Sequence, residues 1–208
     1  MTEPTTVLTD YLLGAVLLVL AWRALRQDRL DPQLARRLWA WGFVALALSA
    51  LAGGTWHGFG GRMGAGAAAL WKATVYLVGI TDLLMLWGSA VAALGSRVRP
   101  WVVAACAAKF LFYAVFMLGH DEFRFVVYDY APSMVAILLI HAVPGSFRND
   151  PGARFILAGL VLSFVAALVQ LARIAPHPRF NHNDLYHVIQ IAACCVLYRG
   201  VIRLRDRR

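Results

Sequence analysis

Apolar runs of about twenty residues recur along this chain, divided by short polar segments. A run of that length crosses about 30 Å of hydrocarbon as a helix. In lipid, such a segment must satisfy its own backbone groups, and a helix does so. The runs predict seven transmembrane helices: Val7 to Leu25, Leu38 to Phe59, Val75 to Leu94, Trp101 to Leu118, Phe125 to Val143, Phe155 to Ala172 and Asp184 to Ile202. Of 208 residues, 61% are hydrophobic and 15% charged, against roughly a half and a quarter in a soluble domain. The expected fold is all-α: one seven-helix transmembrane bundle over residues 1–208, with no room between runs for a soluble domain.

The intervening segments carry turn and charge signals. Gly58 to Gly66 is glycine-rich, Pro144 to Gly152 contains Asn149-Asp150, and Arg173 to Asn183 contains Pro176 and Pro178. The first ten residues hold Glu3 and Asp10 and no Lys or Arg, so the first run reads as a retained span rather than a cleaved leader. Arg23, Arg26, Arg29, Arg36, Arg37, Arg97, Arg99, Arg148, Arg154, Arg199, Arg203, Arg205, Arg207 and Arg208 would share one side. Arg62, Lys72, Arg124, Arg173 and Arg179 would lie on the other. The side richer in Lys and Arg is cytoplasmic, which puts the amino terminus out and the carboxyl terminus in. The net charge of +9 therefore reports membrane orientation and not a nucleic-acid partner. Cys106, Cys194 and Cys195 fall within apolar runs and form no zinc or disulfide pattern.

Ionisable groups inside a bilayer are costly and mark functional sites. On this topology His57, His120, His177, His182 and His187 gather toward the outer face, and His141 lies at the inner one. Asp82 sits about 10 Å below the outer face of span three, by a rise of about 1.5 Å per residue. It needs a partner from another helix: a metal-bound histidine, water, or Lys109 of span four as an ion pair. Asp129 lies one turn into span five. Asp184 shares a helix face with His187 and is placed to orient its ring, as outer-shell carboxylates do. A catalytic zinc takes three or four N, O or S ligands and keeps a position for water. His57, His187 and one of His182 or Asp82 would supply them, with Asp82 as general base if it is not a ligand.

The stretches Gly53-Gly54-Thr55-Trp56-His57, Gly79-Ile80-Thr81-Asp82 and His182-Asn183-Asp184-Leu185-Tyr186-His187-Val188 resemble motifs of the seven-span membrane hydrolases. That superfamily includes the alkaline ceramidases and the progestin and adiponectin receptors. The resemblance implies a zinc site built from a histidine ending span two, an aspartate on span three and an HxxxH pair opening span seven. It also implies hydrolysis of a lipid amide or ester. The chain departs from the pattern at two points. Asn183 stands at the first position of the HxxxH pair, with His182 one place earlier, and Gly53 stands where the family has a serine. A spacing of five sets His182 and His187 about 140° apart on a regular helix.

The polar residues and the resemblance together imply two alternative functions. One is a zinc-dependent hydrolase of a membrane lipid, with catalytic Asp82, metal ligands His57, His182 and His187, and Asp184 and Asn183 behind them. The other is a lipid-binding or sensing protein on the same scaffold. The expected partners are membrane lipids or a lipid-like ligand, and the expected place is a bacterial inner membrane.

Overall fold

The computed structural model describes residues 3–144, 147, 150–178 and 180–207. Arg148, Asn149, Arg179 and Arg208 of the charge and loop pattern lie outside the described residues. Among those described are seven long helices: α1 (Pro4–Leu30), α2 (Leu34–Phe59), α3 (Ala65–Ala93), α4 (Arg99–Phe116), α5 (Phe123–Ala142), α6 (Ala153–Leu171) and α7 (His182–Val201). A single 3₁₀ turn, Gly60–Arg62, follows α2. Helices α1 to α6 are long and apolar enough to cross a membrane, and the chain is a multi-pass membrane protein. The more polar α7 does not join that set of six; it carries His182, Asn183, Asp184, His187, Gln190 and Arg199.

Several helices are longer than hydropathy alone suggests. Helix α3 begins ten positions before the expected Val75, at Ala65. The segment from Ala65 to Thr74 is alanine-rich, and alanine is the best helix former. The break before it falls at Gly64, whose φ of 54° suits a residue without a side chain. The basic segment from Arg23 to Arg37 is mostly helical too. Arg23, Arg26 and Arg29 lie on α1, and Arg36 and Arg37 on α2. Pro4 and Pro100 sit in the first turns of α1 and α4, where a missing N–H costs no helical bond. Pro132 stands inside α5 and removes one rung of its ladder.

Six helices form a closed ring. Helix α1 packs on α2, α2 on α3, α3 on α5, α5 on α6, α6 on α7, and α7 back on α1. Helix α4 stands outside the ring with α3 as its main neighbour. Tight contact at α6–α7 needs a glycine: a Cβ at Gly159 would lie 2.5 Å from Leu197 Cγ. Small residues serve this purpose in membrane bundles, where lipid is as apolar as the helix surface.

The two ends of the ring are closed differently. At the end holding the carboxyl terminus, Asp206 caps α2, its carboxylate accepting from Leu34 N and Ala35 N at 2.8 Å each. Buried Arg36 donates to the carbonyls of Asp31 and Leu204, and Arg37 pairs with Asp28 at 2.8 Å. Exposed Asp31 at this corner is held below the ordinary aspartate range, first by the Gln33 side-chain amide and then by Arg36. At the amino-terminal end, Lys72 pairs with Asp121 at 2.7 Å and Trp71 Nε1 donates to the Asp121 carbonyl. These contacts fasten the start of α3 to the loop after α4.

Candidate functional site

Helix α7 is positioned at its first turn by a reciprocal cap. The Asn181 side chain accepts from Asn183 N and Asp184 N, while Asp184 accepts from Asn181 N at 2.8 Å. This capping box satisfies three backbone donors that the helix itself cannot. The second Asp184 oxygen accepts from Thr6 Oγ1 at 2.9 Å, so the cap also ties α7 to α1. Sequence spacing suggested that Asp184 orients His187. The structure gives Asp184 this capping and fastening role instead.

Helix α1 is what meets His187. Thr9 Oγ1 lies 3.0 Å from His187 Nδ1, and Asp10 Oδ1 lies 3.1 Å from Nε2. The one hydroxyl proton of Thr9 can go to the Thr6 carbonyl, at 3.1 Å, or to His187. The ring nitrogens then have two arrangements: with its proton on Nε2 the imidazole donates to Asp10 and accepts from Thr9, and with its proton on Nδ1 it donates to Thr9 and turns the Nε2 lone pair toward the carboxylate. The second arrangement needs a further proton or a metal ion between Nε2 and Asp10. The other carboxylate oxygen, Asp10 Oδ2, is buried and has no hydrogen-bond partner among the described residues. Such an orphaned group calls for an explanation. Helices α1 and α2 come this close because residue 54 is glycine: a Cβ there would lie 2.7 Å from Asp10 Cβ.

Asp10 and His187 share a chamber of about 200 Å³ with His57, Ser49, Asn183 and Gln170. By helical rise, Asp10 and His187 lie about 9 Å and about 8 Å inside the ends of their helices. His57, near the end of α2, has its Nδ1 3.5 Å from Glu3, and Asn183 accepts from Gln170 Nε2 at 3.4 Å. Helix α7 is regular from His182 onward, so His182 stays a third of a turn or more away from His187. It is absent from the residues lining the chamber. Of the expected ligands, His57 and His187 are thus brought to one chamber and His182 is not.

Asp82 faces a second chamber, of about 100 Å³. Its Oδ2 accepts from Lys109 Nζ at 2.6 Å and from Ser133 Oγ at 2.7 Å. Lys109 also reaches Asp129 Oδ1 at 2.7 Å, so three helices, α3, α4 and α5, meet at one ammonium group. The structure forms the Asp82–Lys109 ion pair, one of the expected partners. The two chambers share Leu46, Val78, Phe123 and Tyr186 in their walls. The sixth histidine, His141, is fully buried at the opposite end, 3.6 Å from Asp150. His120 stacks on Phe116 with ring centroids 3.9 Å apart.

Among the described residues, no three His, Cys, Asp or Glu side chains stand ready-gathered as a ligand set. The Asp10–His187 pair nonetheless fits a zinc ion. At bond lengths near 2.0–2.1 Å, donors on the edge of a tetrahedron lie about 3.3 Å apart. A ligating imidazole commonly donates its other N–H to a fixed acceptor, the part that Thr9 would play with the ring proton on Nδ1. Asp10 was missed in the sequence because its partner lies at the far end of the chain. The trace it leaves is a carboxylate inside an apolar run, with Thr6 and Thr9 on neighbouring turns.

No curated protein and no solved structure matches the chain. A family profile does match, over residues 5–206, and by that measure the chain belongs to DUF6962, a family of unknown function.

Proposed function

We propose that this protein is a metal-dependent membrane hydrolase that cuts an amide or ester in the chamber of Asp10, His57 and His187, the upper of the two, with the Asp82 chamber below it. The supporting observation is the meeting of His187 Nε2 and Asp10 Oδ1 at 3.1 Å, beside the buried and unpartnered Asp10 Oδ2. On this reading a zinc ion is the positive charge between them, held by Asp10 and His187, with His57 of the same chamber as the third donor. When bound, zinc supplies Lewis-acid polarisation of a carbonyl and a more acidic water.

The chain's own groups do the rest. Thr9 meets the His187 ring at Nδ1, and on this reading it accepts the Nδ1 proton and leaves Nε2 for the metal. Hydrolysis joins the oxygen of one water to the carbonyl carbon and breaks the C–N or C–O bond. One water proton must travel to the departing nitrogen or oxygen, and the unpartnered Asp10 Oδ2 is the group placed to carry it. Asp82, expected as the base, is engaged by Lys109 and Ser133 and takes a place on the lower wall.

The membrane setting is read in the same way. All seven helices span, with α7 sheltering its polar residues inside the ring. The arginine-rich end faces the cytoplasm and the upper chamber faces outward, in a bacterial inner membrane.

Metal analysis of protein purified in detergent without chelator tests the reading. One zinc per chain is expected in the wild type and none in Asp10→Asn or His187→Ala. A metal-free wild type would overturn it. A proton would then join the pair, and the scaffold would be a lipid-binding or sensing protein.

A further inference from the structure

The arginines at the end holding the carboxyl terminus divide by what they touch. Arg36, Arg99 and Arg207 donate to backbone carbonyls, and Arg37 pairs with Asp28. Arg154, Arg199 and Arg203 are exposed and belong to none of the ion pairs among the described residues. They gather where α6 begins and α7 ends, at a corner so tight that a Cβ on Gly152 would lie 2.6 Å from the Gly200 carbonyl oxygen. The Cζ atoms of Arg154 and Arg203 lie 4.9 Å and 4.8 Å from the centre of one ring, that of Phe155. Arg203 also donates to the Arg199 carbonyl. The carboxylate at this corner, Asp150, is turned inward: it accepts from Gly152 N at 2.7 Å and stands 3.6 Å from buried His141. Three positive charges are thus collected here without a carboxylate paired to any of them.

The surface that runs away from this corner is apolar. Val161, Val165 and Leu168 are exposed along α6, and Val188, Ala192 and Cys195 along α7. Steps of three and four positions keep each set on one helix face. Arg154 stands seven positions before Val161, and Arg199 four after Cys195, so each stripe is headed by an arginine at the same end. Helices α6 and α7 are neighbours in the ring, and α6 is long and apolar enough to cross a membrane. Two apolar stripes headed by cations match an amphiphile with an anionic head. Guanidinium groups suit phosphate in particular, since each offers it a fork of parallel N–H donors. The hold of Phe155 on two of them is a contact with the face of its ring and leaves N–H donors for an anion.

We propose that this corner binds the head-group phosphate of an acidic phospholipid. Arg154 and Arg203 donate to the phosphate, Arg199 adds its charge, and the acyl chains lie along the exposed faces of α6 and α7. The site is at the opposite end of the bundle from Asp10 and His187, and it does not rest on the hydrolase reading.

Lipid retention tests it. The full-length protein is placed in nanodiscs of phosphatidylglycerol and phosphatidylcholine in equal parts and released into mild detergent. Native mass spectrometry then identifies the lipids that stay bound. The wild type should retain the acidic lipid over the neutral one by about fivefold or more, the worth of one basic residue at an anionic surface. Arg154→Gln combined with Arg203→Gln should bring that ratio close to one. Arg23→Gln combined with Arg29→Gln removes two exposed arginines of α1 from the same end and should keep the wild-type ratio. The wild-type ratio is decisive by itself: equal retention of the two lipids overturns the proposal, whatever the variants do. The proposal also falls if the α1 variant loses the preference as fully as the α6–α7 variant. The arginines would then act only as a general positive surface facing an acidic leaflet.

Discussion

Replacing Lys109 with methionine isolates the one basic group that α3, α4 and α5 share. In the wild type its ammonium lies 2.6 Å from Asp82 and 2.7 Å from Asp129. The two carboxylate oxygens are therefore at most twice that distance apart. Without the cation, two unit charges at about 5 Å repel by about 3 kcal/mol at an effective dielectric of about 20. Stranding one partner of a buried pair costs about 3–5 kcal/mol in measured cases. Proton uptake by one aspartate relieves part of this, and Lys109 is partly exposed, so the lower figure of about 3 kcal/mol is the expected loss. For a chain of this length, 1 kcal/mol corresponds to roughly 2–4 °C in Tm. Lys109→Met should melt roughly 6–12 °C below the wild type in detergent, by circular dichroism. Adding Asp82→Asn should restore part of that loss, because it removes one of the two stranded charges. A Lys109→Met protein that melts with the wild type, or a double variant no better than the single one, would refute the reasoning.

Other outcomes follow from single contacts. Thr9→Val keeps the shape and removes the hydroxyl that meets His187 Nδ1 at 3.0 Å; under the proposed function, zinc affinity should fall by about 10–100-fold, the usual cost of losing such a partner, by competition with a chelating dye. Gly54→Ala puts a methyl 2.7 Å from Asp10 Cβ, and overpacking of this kind costs about 1–3 kcal/mol; both Tm and zinc content should drop. Asp206→Ala removes the cap of α2 and should cost about 1 kcal/mol with zinc content unchanged. The carboxyl of Asp31 is depressed in the folded state, so its contribution is complete above its unfolded value near ~3.9. It is lost as pH falls through the lower folded value. Thermal stability should fall as the pH drops below about 4, and Asp31→Asn should lessen that fall.

The bundle was legible because membrane spans announce themselves through local hydropathy. The start of α3 was not, since the stretch from Ala65 to Thr74 is helical by propensity rather than by apolarity. His57 and His187 stood out because a histidine in an apolar run has few ordinary uses. Asp10 was legible only as a charge that argues against a leader, since nothing near it in sequence is its partner. Asp184 was misjudged for a related reason. Its i−3 spacing to His187 is also the spacing of a capping residue to its cap, and the Asn181 box claims it. Lys109 showed its purpose only once α3, α4 and α5 converged on it.

The joining of α1 to α7 also bears on how the molecule is made. Thr9 and His187 are 178 positions apart, and chains are synthesised at about 5–20 residues per second. The first helix therefore waits on the order of ten seconds or more in the bilayer before its partner emerges. During that interval Asp10 has no His187 beside it, and α2 and α3 are the first of the other chamber walls to emerge. Asp10 therefore enters the bilayer well before α7, the helix that completes its surroundings.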